Sequence, residues 1–318
     1  IMRNIYSNIF KINNKNISKA INLLKKKELI GVPTETVYGL AGNAYNRKTI
    51  KKIYKLKKRT SKNPLIIHYY NLNRLIDDVE LNDNFYKLYK AFSPGPITFV
   101  LNKKKDSKIS KLATANLKTV AVRIPKNKII RKILKNLDFP LAIPSANKST
   151  KVSPVAAEDV FNEFGKSLKI ILKGRRSNIG IESTVVDLTS KIKVLRPGII
   201  TKKDISKILK KRVGYFNYNN KIKAPGMLKK HYSPGIPMKL NQRKCKNNQA
   251  FIVFGKKNKK GKNIFNLSKK SNLNEAARNL YKTLRIIKQK NYKMIYVTKI
   301  PFKGIGFAIN DRLKKASR

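Results

Sequence analysis

Apolar positions recur along the chain with two periods, and the switches between them lay out its elements. Ile17, Ala20, Ile21 and Leu24 follow helical spacing, which predicts an amphipathic helix over 17–29 with Ser18 as N-cap. Residues 29–32 form a short apolar run that stops at Pro33, a strand running into a loop. Helical spacing returns over 49–58 and 83–92, with 64–68 reading as a buried strand between them. No helix or central strand can contain the Ser93-Pro94-Gly95-Pro96 stretch that follows. Residues 97–101, 120–124, 141–143, 170–172, 183–188 and 194–195 read as further strands. A helix is predicted over 153–164, with Ser153 as N-cap and Pro154 at its first position, and a shorter one over 201–209.

Alternating helix and strand predict an α/β domain over 1–208. Residues 209–238 lose periodicity and collect Tyr, Asn, Gly and Pro, so they read as a linker. A strand at 251–254, a helix at 274–288, a strand at 294–297 and a terminal helix from Ala308 predict a small second α/β domain over 239–318. The length of 318 residues agrees with two domains.

Charge changes the picture more than length does. Lys and Arg number 74 against 16 Asp and Glu, a net charge of +58. Such a surface attracts phosphates in a salt-dependent way. Lys, Asn and Ile are abundant throughout, which also fits compositional drift toward AT-rich codons. Cys245 is the single cysteine and His68 and His231 the two histidines, which excludes a disulfide framework and a Cys/His metal cluster. No apolar run reaches the ~18 residues of a membrane span and no secretory h-region is visible, so a cytoplasmic protein is expected. Neither a Walker A sequence nor G-x-G-x-x-G occurs, so a nucleotide would need another device.

Several strings concentrate chemistry. Residues 31–40, Gly-Val-Pro-Thr-Glu-Thr-Val-Tyr-Gly-Leu, pack hydroxyls, a carboxylate and a phenol into a strand exit. A helix cap explains one threonine there but not the whole string. Lys57 and Arg59, before Asn63-Pro64-Leu65, can converge on a polyphosphate or form a solvated basic helix end. Arg123 closes the apolar run Val120-Ala121-Val122, so its guanidinium needs a partner: a carboxylate ligand or a structural salt bridge. Pro144-Ser145-Ala146-Asn147 offers short polar groups at a strand end, where α/β folds place ligands. Glu182-Ser183-Thr184-Val185 and Arg196-Pro197-Gly198 follow. Pro225-Gly226-Met227, with His231-Tyr232, is a composition suited to a linker that folds over something rather than one that only connects.

Each string is weak alone. Together, in order and approximate spacing, they resemble the YrdC-like superfamily. The linker motif and the tail Gly304-Ile305-Gly306-Phe307-Ala308-Ile309-Asn310-Asp311-Arg312-Leu313 make the chain similar to the longer, two-domain threonylcarbamoyl-AMP synthases of that family. Hydrogenase-maturation carbamoyltransferases share single motifs but carry zinc-finger-like cysteines. Two positions depart from the family pattern: Thr60 where proline is usual and Ser93 where tryptophan is usual.

The resemblance implies a twisted mixed sheet with flanking helices, plus a small Rossmann-like C-terminal domain. It implies condensation of L-threonine, bicarbonate and ATP to threonylcarbamoyl-AMP and pyrophosphate, a nucleotidyl transfer. Partner proteins then move the threonylcarbamoyl group to tRNA. By motif match, Thr34, His68, Arg123, Ser145 and Ser183 hold threonine, with Arg123 on its carboxylate. Lys57, Arg59, Thr119, the backbone at Ile143, Ser153, Arg196 and Tyr232 hold ATP, Tyr232 from a linker that closes as a lid. Mg²⁺ arrives with ATP, so no protein metal site is implied. A second function class stays open: a non-catalytic RNA-binding module, for which +58 favours at least weak tRNA contact.

Overall fold

The computed structural model describes residues 6–215, 227, 231–246, 248–256 and 261–318; Pro225 and Gly226 of the expected lid lie outside the described residues. The first sheet takes strands β1 (Ile9–Lys11), β2 (Ile30–Val32), β3 (Gly39–Asn43), β4 (Ile66–His68), β5 (Ile97–Asn102), β6 (Thr119–Arg123), β7 (Leu141–Ala142), β8 (Ile171–Lys173), β9 (Thr184–Asp187), β10 (Lys193–Arg196) and β11 (Gly214–Tyr215). Their order is β1-β8-β2-β3-β7-β4-β6-β5-β9-β10-β11, and parallel and antiparallel neighbours mix as expected. Helices α1 (Asn14–Lys25), α2 (Arg47–Lys57), α3 (Leu72–Leu75), α4 (Asp83–Phe92), α5 (Lys128–Lys135), α6 (Ala157–Phe164) and α7 (Lys202–Leu209) accompany it.

A second sheet holds β12 (Met238–Lys239), β13 (Ala250–Val253), β14 (Ile264–Asn266) and β15 (Ile295–Val297), in the order β12-β15-β13-β14 and wholly parallel. Helices α8 (Leu273–Gln289) and α9 (Gly306–Ala316) complete the C-terminal unit. In α8 a stripe of Ala276, Ala277, Leu280, Tyr281, Leu284 and Ile287 is buried at helical spacing. That stripe shares one core with Val37, Val152, Val155 and Ile181 of the first domain. The two domains are therefore joined by apolar packing as well as by the chain.

Two helix starts differ from the sequence reading, for one reason: polar side chains had better partners. The first helix begins at Asn14, because Asn13 accepts from the Asn16 N–H, and Ser18 lies inside it. The helix expected from Ser153 begins at Ala157. The Asp159 carboxylate accepts from the Val155 and Ala156 N–H groups, while Ser153 is drawn to Glu182. The linker is not irregular from its start, since Gly214–Tyr215 adds a parallel edge strand to β10.

Candidate active site

Strand direction decides which side chains meet. His68 and Arg123 end the parallel neighbours β4 and β6 and stand opposite each other in register. Ser145 lies just past β7 and bridges Gly39 at the head of β3. Ser183 precedes β9, and Arg196 ends its antiparallel neighbour β10. All reach one edge of the sheet. There they line a cleft of about 530 Å³, its mouth included, together with Thr34, Arg59, Ile143 and Tyr232.

Arg123 is held on every edge. Nε donates to the Gly95 carbonyl at 3.1 Å, Nη1 to Thr36 Oγ1 at 3.0 Å, and Nη2 pairs with Glu35 Oε1 at 2.7 Å. The Pro-Gly-Pro turn thus presents a carbonyl to the arginine. Only glycine fits at 95, because a Cβ there would lie 2.2 Å from the Phe92 oxygen. Glu35 also accepts from the Lys126 and Asn127 N–H groups. Burial opposes its ionisation, but Arg123 and Lys126 outweigh burial and hold the carboxyl below its usual range. The structural salt bridge, one of the two partners considered for Arg123, is present.

His68 is buried, and its Nδ1 lies 3.2 Å from the Ile66 carbonyl, so Nδ1 carries the proton and donates while Nε2 is left as an acceptor. Burial, reinforced by Arg123, drops its pKa to about 3, so the ring is neutral at physiological pH. Thr34 Oγ1 donates to the Val37 carbonyl and lies 2.9 Å from Thr36 Oγ1, which shapes the loop beneath Arg123.

The other end of the cleft is cationic. Arg196 Nε donates to the Ser183 carbonyl and Nη2 to Ser183 Oγ, both at 3.0 Å. Arg59 is fixed by the Asn63 carbonyl, Asn63 Oδ1 and the Pro64 carbonyl, which is the use of the Asn-Pro-Leu string. Lys57 Nζ donates to the Ser145 and Asn147 carbonyls, each at 2.5 Å, and so ties the end of α2 to the Pro-Ser-Ala-Asn loop. Burial pulls Lys57 well below the ordinary lysine range, and neighbouring Arg59 adds to it. Burial, then the closeness of Arg196, lowers Arg59 to about 10. Glu182 is the one carboxylate among the described residues lining the cleft, and Arg312 already pairs with it at 3.1 Å. Burial raises its pKa, but Arg312 and then Arg196 lower it more, to about 2.

Tyr232 is buried with a left-handed backbone, φ 63°, and its hydroxyl finds no hydrogen-bond partner among the described residues. Its N–H donates to His231 Nδ1 at 2.8 Å. The linker is tied on both sides of it: the His231 N–H donates to the Lys315 carbonyl of α9, and the Ser233 N–H to the Thr150 carbonyl of the first domain.

Nine of the twelve residues expected from motifs therefore line one cleft. Lys57 and Ser153 stand behind it, Lys57 on the loop carbonyls and Ser153 on Glu182. Thr119 is not brought there. It opens β6, four residues and about 13 Å from Arg123 at the strand's other end. Thr36, Glu182, Tyr281 and Arg312 were not singled out. Thr36, Glu182 and Arg312 lie inside strings already marked, whereas Tyr281 lies in none; Tyr281 and Arg312 sit on helices of the other domain.

Residues 22–198 match the Sua5/YciO/YrdC family model, described as "Telomere recombination", and residues 200–318 match the model described as "Threonylcarbamoyl-AMP synthase, C-terminal domain". A threonylcarbamoyl-AMP synthase of Pyrococcus abyssi is 35% identical over 94% of this chain and 93% of its own. One of Bacillus subtilis is 34% identical over 96% and 94%. The crystal structure of P. abyssi Sua5 complexed with L-threonine superposes with a TM-score of 0.90 at 32% identity, covering 97% of both chains. Escherichia coli YciO, at 20% identity and a TM-score of 0.54 over 60% of this chain, shares the fold. With both domains matched in order, the chain belongs to the two-domain threonylcarbamoyl-AMP synthase branch of the Sua5/YciO/YrdC family of enzymes.

Proposed function

We propose that this protein condenses L-threonine, bicarbonate and ATP to threonylcarbamoyl-AMP. The observation that carries the reading is the charge imbalance of the cleft: Arg59 and Arg196 line it with no ion pair among the described residues, since Glu182 is already paired with Arg312 and Arg123 with Glu35. Buried cations in excess need anionic ligands. A threonine carboxylate, bicarbonate and a triphosphate are such ligands.

The threonine nitrogen bonds to the bicarbonate carbon with loss of water, giving a carbamate. A carbamate oxygen then bonds to the α-phosphorus as the α–β anhydride breaks and pyrophosphate leaves. No protein nucleophile is required, so catalysis is positioning and stabilisation of phosphate charge. Arg123, fixed by Glu35 and Gly95, takes the threonine carboxylate, with Thr34, His68, Ser145 and Ser183 around the rest of the amino acid. His68 accepts through Nε2. Arg59 and Arg196 face the phosphates, Lys57 and Ser153 support the loop walls, and the Ile143 backbone and Tyr232 bound the nucleotide. Water kept out by Tyr232 protects a labile carbamate and mixed anhydride.

No group of three or more metal-ligating side chains occurs among the described residues. Glu182 is occupied by Ser153, Tyr281 and Arg312. In this reading Mg²⁺ belongs to the substrate and enters as MgATP. The product passes to tRNA threonylcarbamoyl-transfer proteins in the cytoplasm; among the described residues no helix is long and apolar enough to cross a membrane. The deciding experiment is pyrophosphate release from ATP that requires both threonine and bicarbonate. Release indifferent to either would reject the reading.

A further inference from the structure

We propose that Arg312 and Tyr281, both from the C-terminal domain, are positioning residues for the nucleotide end of the cleft, acting through Glu182 and Tyr232. The proposal rests on the synthase reading above. Arg312 lies on α9 and is 1% exposed. Its Nε meets Glu182 Oε2 at 3.1 Å, and its Nη1 donates to the Pro197 carbonyl and to Asp311 Oδ2, both at 2.8 Å. Its guanidinium also lies over the Tyr232 ring, 5.2 Å from the centroid. One side chain of the second domain therefore fixes three parts of the first domain and linker. These are the carboxylate lining the cleft, the carbonyl next to Arg196, and the ring that bounds the cleft.

Tyr281 repeats the pattern from α8. Its hydroxyl donates to Glu182 Oε2 at 2.8 Å, and its ring stacks on Tyr232 with centroids 5.8 Å apart and planes 25° off parallel. The remaining Glu182 oxygen accepts from Ser153 Oγ at 2.5 Å. The backbone is shaped to permit this approach. Gly180, at φ +80°, passes so close to α8 that a Cβ would lie 2.5 Å from the Arg278 Cα. That contact delivers Glu182, two residues on, to Tyr281 and Arg312.

A purely structural account fits these residues poorly. They sit beside the apolar core that joins the domains, inside the half-buried Arg285 that pairs with Asp159 and Glu163, where an apolar side chain would avoid the desolvation of a guanidinium and a carboxylate. What the ionic arrangement supplies is direction: it sets the Glu182 oxygens and the height of the Tyr232 ring.

The test uses the full chain and compares Tyr281→Phe, Arg312→Lys, Arg312→Met, Tyr232→Ala and the double variant Arg312→Met/Tyr232→Ala. Kinetics of pyrophosphate release, thermal midpoints and ATP affinity by calorimetry are read for each. Tyr281→Phe keeps its packing and is expected to melt near the parent. It and Arg312→Lys are expected to weaken ATP binding and raise the ATP KM about tenfold, with the threonine KM within about twofold. Adding Arg312→Met to Tyr232→Ala should cost less than Arg312→Met costs in the parent, because part of its action runs through the same ring. Unchanged ATP affinity, both KM values rising together in step with lost thermal stability, or losses that multiply in the double variant would overturn the proposal. Should Arg312→Met fail to fold, Tyr281→Phe and Arg312→Lys decide it. A parent that releases no threonine- and bicarbonate-dependent pyrophosphate overturns the underlying reading instead.

Discussion

Two buried carboxylate–guanidinium pairs flank the cleft, and they differ in what they connect. Glu35 and Arg123 belong to one domain, 2.7 Å apart, and Glu35 also takes two backbone N–H groups. Glu182 and Arg312 are 3.1 Å apart and come from different domains, with Ser153 and Tyr281 on the same carboxylate. The first pair sets the shape of one loop, at the end of the cleft proposed for threonine. The second sets how two domains meet, at the end proposed for ATP. Similar chemistry thus does local work in one place and assembly in the other.

Neutralising each carboxylate should separate the two most clearly. Glu182→Gln leaves Arg312 sealed between domains with Asp311 as its one carboxylate among the described residues and is expected to cost about 3–5 kcal/mol. Glu35→Gln also strips Arg123 of its carboxylate, but Arg123 faces the cleft, where an anion can take its place, and the expected cost is about 1–3 kcal/mol. Denaturant titration reads both. Equal losses would break the contrast.

Acid should weaken both regions at once, because each pair has one of the two histidines beside it. His68 and His231 are held neutral by burial, with pKa values of about 3 against an ordinary 6.5. The unfolded chain then binds protons that the folded chain refuses, so the histidines' contribution to stability is complete above pH 6.5 and falls as the pH drops toward 3. Each histidine contributes up to about 1.4 kcal/mol per pH unit in that window. His68→Gln and His231→Gln should each flatten the slope between pH 6.5 and 5. A slope unchanged in both would show that the histidines are not its source.

Arg59→Lys should weaken ATP binding about tenfold in calorimetry, since a point charge cannot repeat the fork that grips Asn63 and Pro64 while facing a phosphate. Arg123→Ala should instead raise the threonine KM and spare ATP affinity. A shift of both ligands in either variant would merge the two ends into one site. The smallest expected effect is on RNA. Binding driven by the surface charge should be weak, indifferent to sequence and steeply reduced by salt. Tight binding to one tRNA class near physiological salt would move the function from the cleft to the surface.

The first domain was largely legible because its chemistry sits on periodic elements. The helix over 83–92 agrees with Asp83–Phe92, and the strands ending at His68 and Arg123 were visible as apolar runs. The resemblance added the roles, which no periodicity supplies. Short edge strands such as Ile9–Lys11 and Met238–Lys239 were invisible, since two or three residues carry no period. Helix Lys128–Lys135 was missed although Ile130, Ile133 and Leu134 are buried on one face. Thr119 opens the strand that Arg123 ends, so the strand's length sets it apart from the cleft. Arg312 shows a limit of local reading. Its string was recognised, yet its partner lies 130 residues away, a distance no local pattern spans.

Tyr232 gives the linker a property of its own: it is wound like a spring. A tyrosine at φ 63° sits in a backbone region that disfavours any side chain bearing a Cβ, by about 1–2 kcal/mol. The seating of its ring against Tyr281 and Arg312 offsets that tension, together with the backbone hydrogen bonds on either side. Alanine at 232 would lose the seat and keep the tension, whereas glycine would lose both. Closure should therefore be harder to retain in Tyr232→Ala than in Tyr232→Gly, an inversion of the usual rule that glycine is the more damaging replacement.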